Sequence, residues 1–194
     1  RQMCIRDSIY SMALIDLDAL PLYPISTPAS HDLAGFLKPT PRLQCNHPLI
    51  KEKAREIIGT AKDAVNAIKL LSSWVSETVE DELEESFTAL DVLKSRRGEC
   101  QAHTYLYTAL ARAAKIPTRV VNGLVYIEGM GFMYHTWAES YAGRWIPVDP
   151  TMNQVPADVS HIKLIYGDEP EKLNLMLIVL GKLKAKVLDY ETIK

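Results

Sequence analysis

Three residues spread along the chain, Cys100, His135 and Asp149, carry the side chains needed for thiol-based nucleophilic catalysis. A thiol attacks a carbonyl carbon efficiently only as the thiolate, so it needs a neighbouring base or a favourable local field. An imidazole can pair with the thiolate and later protonate a leaving amine, and a carboxylate can hold that imidazole in the required tautomer. The three residue types therefore predict attack on an amide, provided that the fold brings them together.

The sequence around Cys100 predicts that this residue begins a helix. Apolar residues recur at helical spacing through residues 100–115, and Ile116-Pro117 ends the pattern. The stripe consists of Leu106, Ala109, Leu110 and Ala113. The first turn of a helix has unpaired N–H groups and the positive end of the helix dipole, and both favour a thiolate. The predicted helix thus places Cys100 where a nucleophile benefits most.

His135 and Asp149 lie in a segment with the alternating pattern of strands. Residues 119–127, 134–142 and 144–148 are rich in Val, Tyr, Trp and Ile and are separated by glycine-containing turns. His135 lies in the second of these predicted strands, and Asp149 begins the turn after the third. Neighbouring antiparallel strands bring their side chains close together, so we expect His135 and Asp149 to meet.

Helices are predicted before these strands. A helical stretch begins at Pro48, and residues 61–79 have an apolar residue at every third or fourth position. Thr88, followed three residues later by Asp91, has the form of a capping box that opens a short helix, which Gly98 can close in a left-handed conformation. Residues 182–188 alternate Lys with apolar residues and predict a further strand with one solvated face. Helices followed by strands predict an α+β fold.

The proposed division of the chain places one domain at residues 48–194. Residues 1–47 are interpreted as an extended proline-rich lead-in, the end of an upstream region, with prolines at positions 21, 24, 28, 39 and 41. Within it, residues 1–8 fit translated sequencing-adapter read-through and a natural frayed terminus equally well. The missing initiator methionine favours a fragment of a longer protein.

Composition excludes several classes of function. The formal net charge is −2 and the charges are spread along the chain, so no basic stripe for nucleic acid is present in the sequence. The longest apolar run, residues 175–180, is far shorter than the roughly 20 residues of a membrane span. Three cysteines, Cys4, Cys45 and Cys100, are too few and odd in number for a disulfide framework. We therefore expect no nucleic-acid partner and no span in this chain.

Taken together, the motifs resemble those of the transglutaminase-like superfamily. The chain reads Gly98-Glu99-Cys100, His135-Thr136-Trp137 and Asp149-Pro150-Thr151, which match that family's Gly-x-Cys, His-x-Trp and Asp-Pro-Thr. The similarity continues through LARAAKIPTRVVNGLVY at residues 110–126 and HIKL at residues 161–164. It covers most of residues 48–190. Each residue alone is ordinary, since a lone cysteine, a strand histidine or an Asp-Pro turn usually has a structural role.

The resemblance implies a papain-like α+β fold in which the nucleophile starts a helix packed on an antiparallel sheet. It implies Cys100 as nucleophile, His135 as base and acid, and Asp149 as the orienting group. Trp137 either walls a substrate channel or packs in the core, and His103, on the same helix face as Cys100, lines the site. The main-chain N–H of Cys100 is one oxyanion donor, and the sequence does not identify a second.

A zinc site built from Cys45, His47, Cys100 and His103 is the alternative for these residues. It is disfavoured because Cys45 lies in the proline-rich arm and Cys100 is already explained as a nucleophile. We expect no metal and no cofactor.

The predicted function is a cysteine enzyme that acts on a peptide or protein amide through a thioester. Hydrolysis of a peptide or isopeptide bond is favoured over transamidation, because water outcompetes amines unless a site excludes it. The alternative is a non-catalytic module that binds a peptide or glycan on the same fold. Similar chains are often the C-terminal parts of longer bacterial proteins, which favours export from the cytoplasm. Neither the substrate nor the oligomeric state follows from the sequence.

Overall fold

The computed structural model describes residues 15–82 and 88–168, in which helices precede an antiparallel sheet. The helices are α1 (His31–Ala34), which runs into a 3₁₀ turn (Gly35–Leu37), α2 (Pro48–Ile58), α3 (Ala64–Thr78), α4 (Ala89–Ser95) and α5 (Cys100–Ala113). The strands are β1 (Thr118–Ile127), β2 (Gly131–Tyr141), β3 (Trp145–Val148) and β4 (His161–Tyr166), in the spatial order β3-β2-β1-β4. The predicted α+β class is confirmed.

Local features at the first turn explain where α2, α3 and α4 begin. Pro48 occupies the first turn of α2, where its missing N–H costs nothing, and the side chain of Asp63 accepts from the Asn66 N–H at the start of α3. The predicted capping box is also present, since the Thr88 side chain accepts from the Asp91 N–H. These caps satisfy N–H groups that a helix cannot satisfy itself.

The end of α4 differs from the prediction that Gly98 closes it. Arg96 is the residue in the left-handed conformation, at φ 58°, and its N–H bonds to the carbonyl of Val92. Gly98, at φ 141°, instead donates its N–H to the carbonyl of Glu80. The helix thus ends two residues earlier than predicted, because the following residues pair with the segment after α3.

Helix α5 lies at the centre of the molecule. It contacts α2, α3 and α4 on one side and β1 and β2 on the other. The predicted stripe residues Leu106, Ala109 and Leu110 are fully buried. The predicted apolar face of α3 is buried as well, as Ile68, Leu71 and other members of that stripe show. Apolar burial is the main driving force for folding. The contacts that hold α5 in place therefore lie far from Cys100, its first residue.

Part of the proline-rich segment packs on the same core. Leu43 and Cys45 are buried, and the partly buried Leu17, Leu20, Tyr23 and Ile25 pack against them and their neighbours. Arg112 of α5 donates to the main-chain carbonyl of Lys38 at 2.6 Å, which ties the segment to the central helix. A domain boundary at residue 48 remains a prediction, but residues before it contribute to the core.

The predicted strands at residues 119–127, 134–142 and 144–148 correspond to β1, β2 and β3 and are confirmed. The alternating pattern does not predict strand β4, which contains the HIKL segment. The predicted strand at residues 182–188 lies outside the described residues. Within the described part of the chain, no helix is long and apolar enough to cross a membrane.

Gly123 of β1 allows β4 and the Trp137 ring to approach the β1 main chain closely. The pairing of β1 with β4 shifts register between Asn122 and Gly123, as at a β-bulge. A Cβ atom on Gly123 would lie 2.1 Å from the carbonyl oxygen of Ile162 and 2.7 Å from the indole of Trp137. Neither neighbour can retreat cheaply, since one is main chain and the other is a buried ring. Only glycine fits at this position.

Gly123→Ala is therefore expected to destabilise the protein by at least about 2 kcal/mol, through overpacking of the β1–β4 pair. The free energy of unfolding in urea measures the effect. Gly35→Ala is the matched control, because Gly35 has ordinary helical dihedrals and nothing lies within 4 Å of the added Cβ. It should leave stability unchanged or slightly increased. Equal effects of the two substitutions would show that Gly123 is not constrained by its neighbours.

Candidate active site

His135 and Asp149 meet through the pairing of β2 with β3. Ala138 of β2 lies opposite Val148 of β3, and Asp149 follows β3 directly. His135 Nε2 lies 2.7 Å from Asp149 Oδ2, a short hydrogen bond between two buried side chains. The sequence prediction that neighbouring strands would bring these two residues together is confirmed.

The turn after β3 holds the Asp149 carboxylate in one orientation. Its Oδ1 accepts from the N–H groups of Thr151 at 2.8 Å and Met152 at 3.2 Å. The main chain of Asp149 also exchanges two hydrogen bonds with Gln154, each 2.9 Å long. The carboxylate therefore uses one oxygen to form the turn and presents the other, Oδ2, to His135.

Cys100 is the first residue of α5 and is a free, half-buried thiol. It lies close enough to His135 for its charge to raise the pKa of that imidazole. Because Nε2 of that imidazole faces Asp149, Nδ1 is the nitrogen left for the thiol. The structure thus places Cys100 beside the hydrogen-bonded pair of His135 and Asp149.

The charges of this series favour an imidazolium. Burial lowers the pKa of His135, but hydrogen bonds to Asp149 and Cys100, and the charges of both, outweigh burial and raise the pKa to about 9. Burial also disfavours the charged form of Asp149, yet donors from His135, His161 and the Met152 N–H hold its pKa below the ordinary value. At neutral pH the site therefore contains an imidazolium beside a carboxylate.

Tyr134 is a neighbour of the site that the sequence did not single out. Its hydroxyl donates to Asn122 Oδ1 at 2.8 Å, and burial raises its pKa, with a smaller contribution from the charge of Cys100. Asn122 also accepts from the Thr136 hydroxyl at 3.1 Å. This polar cluster fixes the residues on either side of His135 in β2.

Trp137 packs beside His135 on β2. The two rings are nearly parallel, with an interplanar angle of 18° and centroids 6.1 Å apart, and Trp137 is only 2% exposed. Of the two roles expected for Trp137, this burial supports core packing. A part in a substrate channel stays a prediction.

His103 lies one helical turn after Cys100 and is 2% exposed. Both of its ring nitrogens lie 3.1 Å from main-chain carbonyl oxygens, those of Glu99 and Val79. These contacts connect α5 to the end of α3. The expectation that His103 binds substrate stays a prediction, and this burial does not support it.

His161, at the start of β4, is a second histidine on Asp149. Its Nε2 lies 3.1 Å from Asp149 Oδ2, the same oxygen that bonds His135. In the sequence, His161 is notable only as the first residue of HIKL, and no role is predicted for it. The contact between His161 and Asp149 joins two segments that the predicted strands do not pair. Only the similarity of HIKL to the family points to this residue.

A metal ion would require at least three suitable donors in one place. Among the described residues, one group meets that condition: His135, Asp149 and His161, whose donor atoms lie within 4.8 Å of one another. The contacts of 2.7 Å and 3.1 Å to a single carboxylate oxygen are those of hydrogen bonds, which account for the group fully. Within the described parts of the chain, Cys45, His47, Cys100 and His103 form no such group.

Solved structures resemble this fold. A candidate cysteine protease from Cytophaga hutchinsonii superimposes with a TM-score of 0.64 at 24% identity, covering 72% of this chain and 48% of that chain. The periplasmic domain of TgpA from Pseudomonas aeruginosa superimposes with a TM-score of 0.51 at 19% identity, covering 66% of this chain and 49% of that chain. The chain thus spans about half the length of each structure, and at these identities the likeness establishes the fold.

Sequence comparison with known families identifies one match. No curated protein matches the chain. The model of the transglutaminase-like superfamily matches residues 51–150, about half of the chain, and that segment contains Cys100, His135 and Asp149. The three motifs, the papain-like arrangement of helix and sheet, and this match agree. The chain belongs to the transglutaminase-like superfamily.

Proposed function

We propose that the chain is a cysteine acyl-transfer enzyme that acts on amide bonds through a thioester, with Cys100, His135 and Asp149 as its catalytic residues. The observation that carries the proposal is the position of His135, whose Nε2 bonds Asp149 while Cys100 lies beside the same imidazole. An imidazole held between a carboxylate and a thiol can exchange protons with the reacting groups. Family membership supports the same class of chemistry.

The first half-reaction forms the thioester. The Cys100 thiolate adds to the amide carbonyl carbon, and the negative charge moves to the carbonyl oxygen. As that tetrahedral intermediate collapses, the C–N bond breaks and the His135 imidazolium gives its proton to the departing nitrogen. The acyl group remains on sulfur, the amine leaves, and His135 becomes neutral while Asp149 holds its tautomer.

The second half-reaction releases the acyl group. Neutral His135 takes a proton from water, the resulting hydroxide equivalent adds to the thioester carbonyl, and the C–S bond breaks. The products are a carboxylic acid and the restored thiolate–imidazolium pair. The main-chain N–H of Cys100, in the first turn of α5, is the proposed donor to the oxyanion in both halves, since such N–H groups have no partner within the helix.

Hydrolysis of a peptide or isopeptide bond is the proposed outcome, with transamidation as the second possibility. Cys100 is half-buried rather than enclosed, so a thioester on it would be open to water. Water at its bulk concentration outcompetes amines unless a site excludes it. The proposed substrate is a peptide or protein amide. A non-catalytic module that binds a peptide or glycan would not need a buried carboxylate hydrogen-bonded to His135.

Alkylation of Cys100 by iodoacetamide tests the proposal without a known substrate. The reaction should begin below the pH range of an ordinary thiol, because the proposed ion pair with the His135 imidazolium favours the thiolate. The rate should rise again near pH 9, where His135 loses its proton and frees the thiolate. Enzyme activity should fall over that same range, because the leaving amine then lacks its proton donor.

Cys45 provides the internal reference for this measurement. It is a free thiol 5% exposed, so it should react only after denaturation. Mass spectrometry of peptides distinguishes the two sites. A single rise in the Cys100 rate centred near the ordinary thiol range of about pH 8.5 would refute the enzyme and favour the binding module.

A further inference from the structure

The contacts of His161 form a second layer behind the proposed catalytic residues. His161 is 1% exposed, and its Nε2 approaches Asp149 Oδ2 at 3.1 Å from the side of β4, while His135 approaches the same oxygen from β2. A carboxylate oxygen can accept two such bonds. Asp149, which is fully buried, thus receives two side-chain donors on Oδ2 and two main-chain donors on Oδ1.

We propose that His161 is a positioning residue for the reaction, which fixes the Asp149 carboxylate against His135 by donating Nε2–H to Oδ2. This inference rests on the proposed function. A buried carboxylate that loses a donor keeps an unsatisfied lone pair, which is unfavourable. Asp149 could regain a donor by rotating away from His135 or by binding a water molecule. Either change would weaken its hydrogen bond to the imidazole.

The surroundings of His161 direct its Nε2 toward Asp149. On the other side of the ring, Nδ1 lies 3.2 Å from Asp158 Oδ1 and 3.3 Å from the Asp158 carbonyl oxygen. Asp158 is itself held by Ser160 and by Gln154 Nε2, which donates to it at 3.0 Å. The two ring nitrogens therefore face Asp149 on one side and Asp158 on the other.

Aromatic packing reinforces this orientation. Trp137 meets the His161 ring edge to face, with centroids 5.1 Å apart, and lies almost parallel to His135. The titratable groups that face these histidines are Cys100 from α5, Asp149 from the turn after β3 and Asp158 from the loop before β4. His161 lies beyond the segment at residues 51–150 that matches the family.

Two substitutions of His161 separate hydrogen bonding from packing. His161→Gln keeps an N–H donor near the position of Nε2, whereas His161→Phe keeps an aromatic ring and loses the donor. The readout is the pH of the second rise in Cys100 alkylation by iodoacetamide, which is expected where His135 loses its proton. We expect His161→Phe to lower that pH by at least about one unit, because a misaligned carboxylate stabilises the imidazolium less. His161→Gln should restore it.

Three outcomes would overturn the proposal. The first is a second rise at the original pH in His161→Phe. The second is a rise at higher pH in that variant, which would mean that His161 only competes with His135 for Asp149. The third is a His161→Gln protein that behaves like His161→Phe. If His161→Phe does not fold, Asp158→Asn replaces it, since the Asp158 side chain is 44% exposed and tolerates change. Asp158→Asn should lower the same pH by a smaller amount. An unchanged pH in this variant would overturn the proposal.

The experiment also separates this proposal from the proposed function. If wild-type Cys100 reacts as an ordinary thiol, the enzyme assignment fails before any His161 variant is compared. If the wild type shows both rises and His161→Phe matches it, only the positioning role fails. Incubation of the wild type with a chelator is the further control. Alkylation that changed after chelation would make the three donors a metal site and overturn the positioning role.

Discussion

Replacing Cys100 by alanine or serine is expected to abolish acyl transfer, with a loss of at least about a thousandfold in rate, while the fold is retained. Alanine has no nucleophile, and a serine hydroxyl is not ionised by the imidazole that pairs with a thiolate. The assay follows two products from a panel of peptide amides: the free amine released by hydrolysis, and a fluorescent primary amine incorporated by transamidation. The dominant product in the wild type decides between these two reactions.

Folding should survive these substitutions because the thiol and the packing of α5 come from different parts of the helix. Cys100 is half-buried in the first turn, whereas Leu106, Ala109 and Leu110 carry the buried face. Circular dichroism and thermal melting check this point. Cys45→Ala is the matched control, since it removes a buried thiol outside the site and should cost stability but not specific activity. A Cys100→Ala protein that unfolds, yet keeps specific activity in its folded fraction, would contradict the assignment.

The elements that carry the proposed catalytic residues could be predicted because their determinants are local. Thr88 and Asp91 cap a helix through atoms three residues apart, and the apolar stripe of α5 follows from helical periodicity. The contact between His135 and Asp149 was predictable for a related reason. The glycine-containing turn between β2 and β3 is short, and a short turn forces antiparallel neighbours, which restricts how far apart the two side chains can lie.

The features that were missed depend on contacts between distant segments. His161 reaches Asp149 only because β4 pairs with β1, on the far side of the sheet from β3. No short-range pattern predicts that order of strands. Leu43 and Cys45 were assigned to an extended lead-in because prolines surround them, yet tertiary packing buries both. Arg96 adopts the left-handed conformation expected of glycine because the next residues pair with Glu80, which a local reading cannot anticipate.

The environment of Asp149 determines what an asparagine would do in its place. The N–H groups of Thr151 and Met152 both donate to Oδ1, so that position must hold an acceptor. The asparagine side chain would therefore have to place its carbonyl oxygen there and its NH₂ group where Oδ2 now faces both histidines. An NH₂ group opposite His135 Nε2 needs an acceptor nitrogen, which forces the proton of a neutral imidazole onto Nδ1, the nitrogen that faces Cys100.

Asp149→Asn is accordingly expected to lower the rate by about a hundredfold or more, as loss of the carboxylate does in serine-protease triads. The misplaced proton prevents His135 from acting as a base, and loss of the negative charge lowers the pKa of His135 from about 9. Because the folded protein then loses the imidazolium at lower pH, the alkaline limb of the activity profile moves down. Asp149→Ala should be no more active, since it removes the charge and the turn contacts together. Steady-state rates across pH, with melting curves to confirm folding, measure both effects. If the rate and the alkaline limb stayed at wild-type values, Asp149 would serve only to form the turn, and the group that orients His135 would have to be another residue.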